Sequence, residues 1–406
     1  MLTLRTSKKA HLQPASGKIG LAVAGGGPLG GIYELGALLA LDEAMIDRKL
    51  VDLDVYVGVS AGAFVAAGMA NAMSTSTMCR IFVEDETPEH PFRPELFLKP
   101  AFAEYWQRMR KVPGLVADSV WSLLTRPFDS TVSEQLGRFG KAIPTGFFDN
   151  DGLNQFLSRV FATPGRTNDF RQLSRALYIV AVDLDSGAAV RFGAPGFDHV
   201  PISKAVQASA ALPGLYPPVE IDSRSYVDGV LRRTLHASVA LDSGVDLVIG
   251  INPLVPYDAS KNQQSHKRKL VDGGLPLVLS QTLRALIQSR MQIGLEKNQA
   301  VYDDSDLLLL EPNRDDGEMF FTNVFSYSSR KRLGEHAYQA TRSELLAKFD
   351  ELNKMLGRHG LQLDRATLED PDRTMEQAIR QPPSRVAMTE ELTRTLDRLR
   401  RVVAKQ

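Results

Sequence analysis

An α/β fold built on a mainly parallel sheet is predicted by three features of the sequence. Short apolar runs of strand length are stopped by glycines, as in "KIGLAVAGGG" (18–27). A segment with helical spacing follows, "GGIYELGALLALDEA", in which Ile32, Leu35, Leu38, Leu39 and Leu41 recur at near-helical intervals. The same order of strand, glycine turn and helix then repeats in "VDLDVYVGVSAG" and "AFVAAGMANAM". Strands that alternate with helices in this way build a parallel sheet.

Each later element extends or interrupts that rhythm. Residues 84–146 break it: they hold both tryptophans (Trp106, Trp121), many prolines and the aromatic–basic stretch "FAEYWQRMRKVPG". They read as an insertion over the core. The alternation resumes with "ALYIVAVDLDSG" (176–187) and "DLVIGINPLVP" (246–256), both with the continuous apolar character of buried strands, and "SYVDG" ends another strand. A polar, basic loop "ASKNQQSHKRKL" (259–270) leads to a helix around Leu277–Leu295. The apolar run "DLLLLEP" (306–312) has no layer of its own to pack against, which places it in the same sheet; a long helix near 327–356 follows. The expected organisation is an N-terminal arm (1–17), a catalytic core (18–255), a helical region with one completing strand (256–356) and a tail (357–406). That tail ends in a helix carrying Leu392, Leu396, Leu399 and Val403 on one face, suited to docking on the core or on a partner helix. No internal repeat is present.

Composition narrows the function. Of 406 residues, 43% are apolar and 24% charged, as in a globular protein with a sizeable core, and the formal net charge of +0 gives no global field toward nucleic acid. The single cysteine, Cys79, excludes an intrachain disulfide framework and a thiolate metal site. No run of about 18 apolar residues predicts a spanning helix, and the basic N-terminus lacks a signal-peptide core. The expected location is cytoplasmic.

The chemistry concentrates in two glycine turns and one strand end. Gly58-Val59-Ser60-Ala61-Gly62 is a G-x-S-x-G at a strand-to-helix junction. Small neighbours let the chain turn sharply, so that a serine hydroxyl stands clear of the sheet as a nucleophile. The loop Gly25-Gly26-Gly27-Pro28-Leu29-Gly30 also fits G-x-G-x-x-G, the dinucleotide pattern. That reading requires an acid at the end of the next strand; here Asp52 and Asp54 precede the strand, and its far end carries Gly58-Val59-Ser60. An oxyanion hole is the better reading, with backbone N–H groups of Gly25, Gly26, Gly27, Gly30 and Ala61 as the donor candidates; each such donor contributes roughly 3–4 kcal/mol to an acyl-transfer transition state. None of the seven histidines, His11, His90, His199, His236, His266, His336 and His359, sits in an obvious strand-end loop. Asp228 does: "RSYVDGV" puts it after a β-type run and before Gly229. A partly desolvated carboxylate within hydrogen-bond reach is basic enough to take the serine proton.

The sequence resembles the patatin-like phospholipase family. The family pattern is a glycine-rich oxyanion loop, then G-x-S-x-G, then D-G-G or D-G-A, and this chain supplies "GGGPLG" (25–30), "GVSAG" (58–62) and "DGV" (228–230) in that order. The segments "AVQASAALPGLYPPVEIDSRSYVDGV" (205–230) and "LHASVALDSGVDLVIGINP" (235–253) extend the similarity, which covers roughly residues 18–255. The resemblance implies a patatin-like three-layer sandwich, a Ser60–Asp228 dyad, an acyl-enzyme intermediate and no metal or cofactor. Two positions depart from the pattern. Leu29 stands where the family often has Arg or Lys, and Val230 where it has Gly or Ala. A competing base, Asp272, lies in "VDGG" (271–274), but it follows a polar loop and precedes a Leu-Pro helix start, the setting of a cap or turn.

The implied substrate is a lipid acyl ester such as a phospholipid or lysophospholipid. Phe92, Phe97, Phe102, Tyr105, Trp106 and Trp121 beside Arg108, Arg110 and Lys111 suit either a surface that meets lipid headgroups peripherally or a flap packed on the domain. A general carboxylesterase or thioesterase with the same dyad, and a silent scaffold that kept the fold, are the alternatives. Head group, acyl position and oligomeric state stay open.

Overall fold

A computed structural model describes residues 1–7, 17–46, 48–84, 99–101, 145–260, 270–322 and 327–380. In it the run at 18–27 becomes β2 (Ile19–Val23) and the following helical pattern α1 (Gly27–Ala44); β3 (Val55–Val59) and α2 (Ala61–Ala70) repeat the unit. A helix α3 (Thr75–Phe82), a two-residue ribbon of β4 (Lys99–Pro100) and β5 (Phe148–Asp149), and α4 (Asp151–Phe161) precede β6 (Ala176–Asp183). After it come β7 (Ala189–Phe192), α5 (Ile202–Ser209), β8 (Val219–Ile221), β9 (Arg224–Asp228), α6 (Ala237–Asp242) and β10 (Leu247–Ile251). The long helix α7 (Gly274–Val301), β11 (Asp306–Leu310), α8 (Gly317–Phe321) and α9 (Tyr327–Ala347) complete the parts used below.

The main sheet runs β1-β11-β10-β2-β3-β6-β9-β8, where β1 is Leu2–Arg5, and β7 pairs with β6 off this path. The five strands from β11 to β6 are parallel, and antiparallel pairs close both flanks. Helices cover both faces, as the continuous apolar strands require. In β2, Ile19, Leu21 and Val23 enter the core shared with α1 and α2, while Ala22 enters the opposite core with Val55, Val57 and Val59 of β3. Alternate side chains of one strand therefore feed two layers, giving a three-layer arrangement. Met291 and Leu295 of α7 and Ala237 and Ala240 of α6 seal the second layer.

Two expectations need correction. The stretch read as an N-terminal arm contributes Leu2–Arg5 as an edge strand, registered antiparallel on Leu307–Leu310. The long helix expected over 327–356 is two helices, α9 and Phe349–Gly357, which meet at Lys348. No proline or glycine marks the break. Lys348 Nζ instead donates to the Leu2 carbonyl at 2.6 Å, so the junction is tied to the same edge strand. The aromatic and basic residues named in the insertion, and the tail helix at 389–406, lie outside the described residues. Among the described residues no helix is long and apolar enough to cross a membrane.

α1 is buried along most of its length, which explains its run of Leu, Ala and Gly without a polar face. Its partner α9 approaches backbone to backbone: a Cβ on Gly36 would lie 2.4 Å from the Gly334 carbonyl oxygen. Gly36→Val should therefore force the helices apart and destabilise the protein by roughly 1–3 kcal/mol. A urea midpoint equal to that of the wild type would show that this contact does not constrain the fold.

Candidate active site

Ser60 is the one residue between β3 and α2, with its backbone at φ 53° and ψ −123°. Non-glycine residues rarely take this region, and holding one there costs on the order of 1–3 kcal/mol. The turn closes because its flanks lack side chains: a Cβ on Gly58 would lie 2.5 Å from Ala63 Cα, and one on Gly62 would lie 2.3 Å from the Ala24 carbonyl oxygen. A second serine holds the elbow. The Ser60 N–H donates to Ser209 Oγ at 2.8 Å, and the Ser209 hydroxyl donates to the Val180 carbonyl at 2.6 Å.

Sheet register brings Asp228 level with this elbow. Val59 pairs with Val180 of β6, and the next residue of β6, Ala181, pairs with Asp228. The backbones of Ser60 and Asp228 are thus two strand spacings apart, about 9.6 Å, and both residues line the same cavity, with the Ser60 hydroxyl near enough to act on the Asp228 carboxyl. The carboxylate is buried, at 2% exposure. Oδ1 accepts the Val230 N–H at 2.9 Å. Burial pushes the Asp228 pKa up to about 7, against the lowering effects of Val230 and Ser60. Gly229 follows because a Cβ there would lie 2.2 Å from the Val180 carbonyl oxygen.

The glycine loop runs alongside. A Cβ on Gly25 would come within 2.9 Å of Ser60 Cβ, so the loop backbone lies directly against the serine. Gly26 caps α1, and Gly27 (φ 62°) begins it. Gly27 and Ala61 each open a helix, where the first N–H groups have no acceptor within the helix. Gly26, Gly27, Ser60, Ala61 and Asp228 all line one cavity of about 280 Å³. Gly30 does not join them. It lies in the first turn of α1, where its N–H donates to the Gly26 carbonyl at 3.0 Å, and its Cα faces Pro253, so its amide is already used by the helix. Gly25 likewise backs the serine and is not on the cavity wall.

The remaining sequence candidates separate cleanly. Asp272 is exposed in a 3-10 turn at Leu270–Gly273 and does not line the cavity. Of the described histidines, His199 pairs with Asp222, His336 with Asp316 and His359 with Asp306, while His236 is buried at the N-terminus of α6, where burial lowers its pKa to about 4. None of these four lines the cavity. His11, His90 and His266 lie outside the described residues. Of the two departures, Leu29 packs against the first core, and Val230 joins the cavity wall without crowding the Asp228 turn.

The rest of the wall is mostly apolar: Ile32 and Leu35 of α1, Phe64 of α2, Phe82 of α3, Leu153 of α4, then Leu212, Leu254, and Leu283 and Ile287 of α7. Arg284 and Arg330 are its cations. Sequence reasoning missed Ser209 and Arg284. The first lay unremarked inside the "QASAALPG" segment, and the second on a helix read only for its apolar spacing.

A three-layer α/β fold with a serine elbow, a glycine loop and an Asp-Gly strand end in one cavity defines the class. The chain belongs to the patatin-like phospholipase family, whose model matches residues 21–241. That membership supports a lipid hydrolase. Among solved structures it is similar to VipD from Legionella pneumophila (14% identity, TM-score 0.30, over 93% of this chain and 85% of that one). It is also similar to the type III effector ExoU of Pseudomonas aeruginosa (17%, 0.36, 86% and 54%). A third is human GIVD cytosolic phospholipase A2, solved with methyl gamma-linolenyl fluorophosphonate (12%, 0.31, 88% and 61%). The chain thus spans only part of the last two proteins, 54% and 61% of their lengths.

The buried carboxyl has a measurable consequence for stability. In the unfolded chain Asp228 loses its proton near the ordinary 3.8, whereas in the fold it keeps it to about 7. Between those values the folded state binds the extra proton, so stability falls as pH rises, on the order of 1.4 kcal/mol per pH unit. Asp228→Asn carries no such penalty. It should match the wild type near pH 4 and exceed it by a few kcal/mol at pH 8, as read by urea unfolding at the two pH values. Equal stabilities at pH 8 would place the carboxylate in a polar setting.

Proposed function

We propose that the protein is a lipid acyl hydrolase of the phospholipase A or lysophospholipase type, working through a Ser60–Asp228 dyad. The observation that carries this is the strained Ser60 and a buried carboxyl, its pKa raised to about 7, lining the same largely apolar cavity beside the glycine loop. Asp228 takes the proton from Ser60 Oγ as Oγ bonds to the ester carbonyl carbon. The N–H groups near Gly26, Gly27 and Ala61 take the oxyanion's charge. Collapse breaks the bond to the alcohol oxygen, which leaves with the proton from Asp228. Water, deprotonated by the same carboxylate, then attacks the acyl-enzyme; collapse breaks the bond to Ser60 Oγ, which takes the proton back from Asp228, and the carboxylic acid leaves. The apolar wall suits an acyl chain, whose burial is favourable at roughly 0.8 kcal/mol per CH₂. Peripheral contact with lipid through residues 84–146 remains part of this reading, although the residues expected to make it lie outside those described.

Labelling with a fluorophosphonate probe tests the nucleophile. The wild type should label at Ser60, and Ser60→Ala should neither label nor release fatty acid from phosphatidylcholine. An unlabelled, folded wild type would mean a silent scaffold. A preference for short-chain esters or acyl-CoA over phospholipid would move the activity to a carboxylesterase or thioesterase.

The base is tested by a pair of variants. Asp228→Asn should lose at least 10²-fold in kcat, while Asp272→Asn should stay within about twofold, as expected of an exposed residue that does not line the cavity. Because the base must be ionised, wild-type kcat/KM should rise with pH and level off above a midpoint near 7, within about a unit. A flat profile from pH 5 to 9 would remove Asp228 from the proposed role.

A further inference from the structure

Among the described residues, the charged groups on the cavity wall apart from Asp228 are two guanidinium groups, Arg284 of α7 and Arg330 of α9. Arg330 donates to the Phe82 carbonyl at 3.2 Å. Arg284 is 8% exposed, and its contacts are all with uncharged groups. Nη1 donates to the Pro253 carbonyl (3.5 Å) and the Val255 carbonyl (3.3 Å), and the guanidinium carbon lies 5.2 Å from the centre of the Phe320 ring. No carboxylate among the described residues forms an ion pair with it. Burial lowers its pKa, and no neighbouring acid opposes that effect.

A buried arginine stays charged, and a buried charge without a counterion is costly. The long contacts from Nη1 offset little of that cost, and neither Nε nor Nη2 bonds to a described residue. The planar fork is matched to the paired oxygens of a phosphate or carboxylate, which it binds through two parallel N–H···O bonds. The Phe320 ring fixes its position.

We propose that Arg284 is the anion-recognition residue of this cavity. It pairs with an acidic group, phosphate or carboxylate, carried by an amphiphilic acyl ester, and so favours anionic amphiphiles over neutral ones. This rests on reading the cavity as the acyl-ester site. The ester carbonyl sits at Ser60 while the acid reaches the α7 side of the wall.

Binding tests this without requiring turnover. Isothermal titration with decyl phosphate below its micelle concentration, with decanol and with inorganic phosphate compares the anion, the chain and the two together. In the wild type, decyl phosphate should bind at least tenfold tighter than either of the others. Arg284→Met should bring decyl phosphate to within about twofold of decanol, and Arg284→Lys, which keeps the charge but not the fork, should retain part of the preference. Equal wild-type affinity for decyl phosphate and decanol would overturn the proposal even if Arg284→Met failed to fold. A preference undiminished in Arg284→Met would overturn it as well, and inorganic phosphate binding as tightly as decyl phosphate would assign the site to a free anion. The same titration on Ser60→Ala separates the two readings. If the preference persists there while the wild type resists the fluorophosphonate probe, the anion site stands and the hydrolase reading fails.

Discussion

A buried carboxyl group beside a strained serine elbow is the constraint around which this fold is arranged. Ionising Asp228 is unfavourable in its surroundings, and Ser60 sits in a backbone region that serine avoids. Neither would persist in a flexible loop. Each is held by groups that do something else first. The elbow is clamped by the Ser60 N–H to Ser209 and by Gly62 seated against the Ala24 carbonyl, while Asp228 is fixed by a backbone bond from its own N–H to the Ala211 carbonyl and by pairing with Ala181. Strain and desolvation persist where the surrounding structure over-determines them.

The mixed topology follows from that constraint. The parallel strands deliver the glycine loop and the serine at the same sheet edge, because the tips of β2 and β3 point the same way. The switch in strand order falls between β2 and β10, the usual crevice of such sheets. The aspartate comes from a strand of the opposite direction: β9 descends antiparallel to β6 and ends two residues below Tyr226, where a 3-10 turn begins. Antiparallel pairing sets Asp228 against Ala181, one residue beyond the Val180 that pairs with Val59, and so at the level of the serine elbow.

How much of this the sequence carried depended on the range of each signal. Strands covered on both faces announce themselves by unbroken apolar runs, so β2, β3, β6, β10 and β11 were legible, as were the three motifs. The edge elements were not. β1, β7 and β8 are three or four residues long and take their identity from the strand they join, a contact far away in sequence. The break at Lys348 has the same character, since its cause is the Leu2 carbonyl more than 340 residues away. Within the site, Gly30 fitted the loop pattern but lies in the first turn of α1 with its amide bonded to the Gly26 carbonyl, and a pattern of letters cannot tell which amide is already bonded. Ser209 and Arg284 had no motif at all. Their roles exist only once Val180 and Pro253 are placed beside them.

The apolar wall links the proposed base to the proposed substrate. Leu212, Leu254, Leu283 and Ile287 line the cavity that Asp228 faces, and burial among apolar groups is what raises the carboxyl pKa. The same surface is what an acyl chain needs in order to leave solvent. A histidine base would be poorly served by this arrangement, because desolvation lowers the basicity of a group that becomes charged on taking a proton; the buried His236, lowered to about 4, shows that effect in the same molecule. A carboxylate responds in the opposite sense, becoming a better proton acceptor as its surroundings become more apolar. The proposed acyl-chain cavity and the proposed aspartate base therefore reinforce each other, and a chain occupying the wall should raise the basicity of Asp228 further by displacing water.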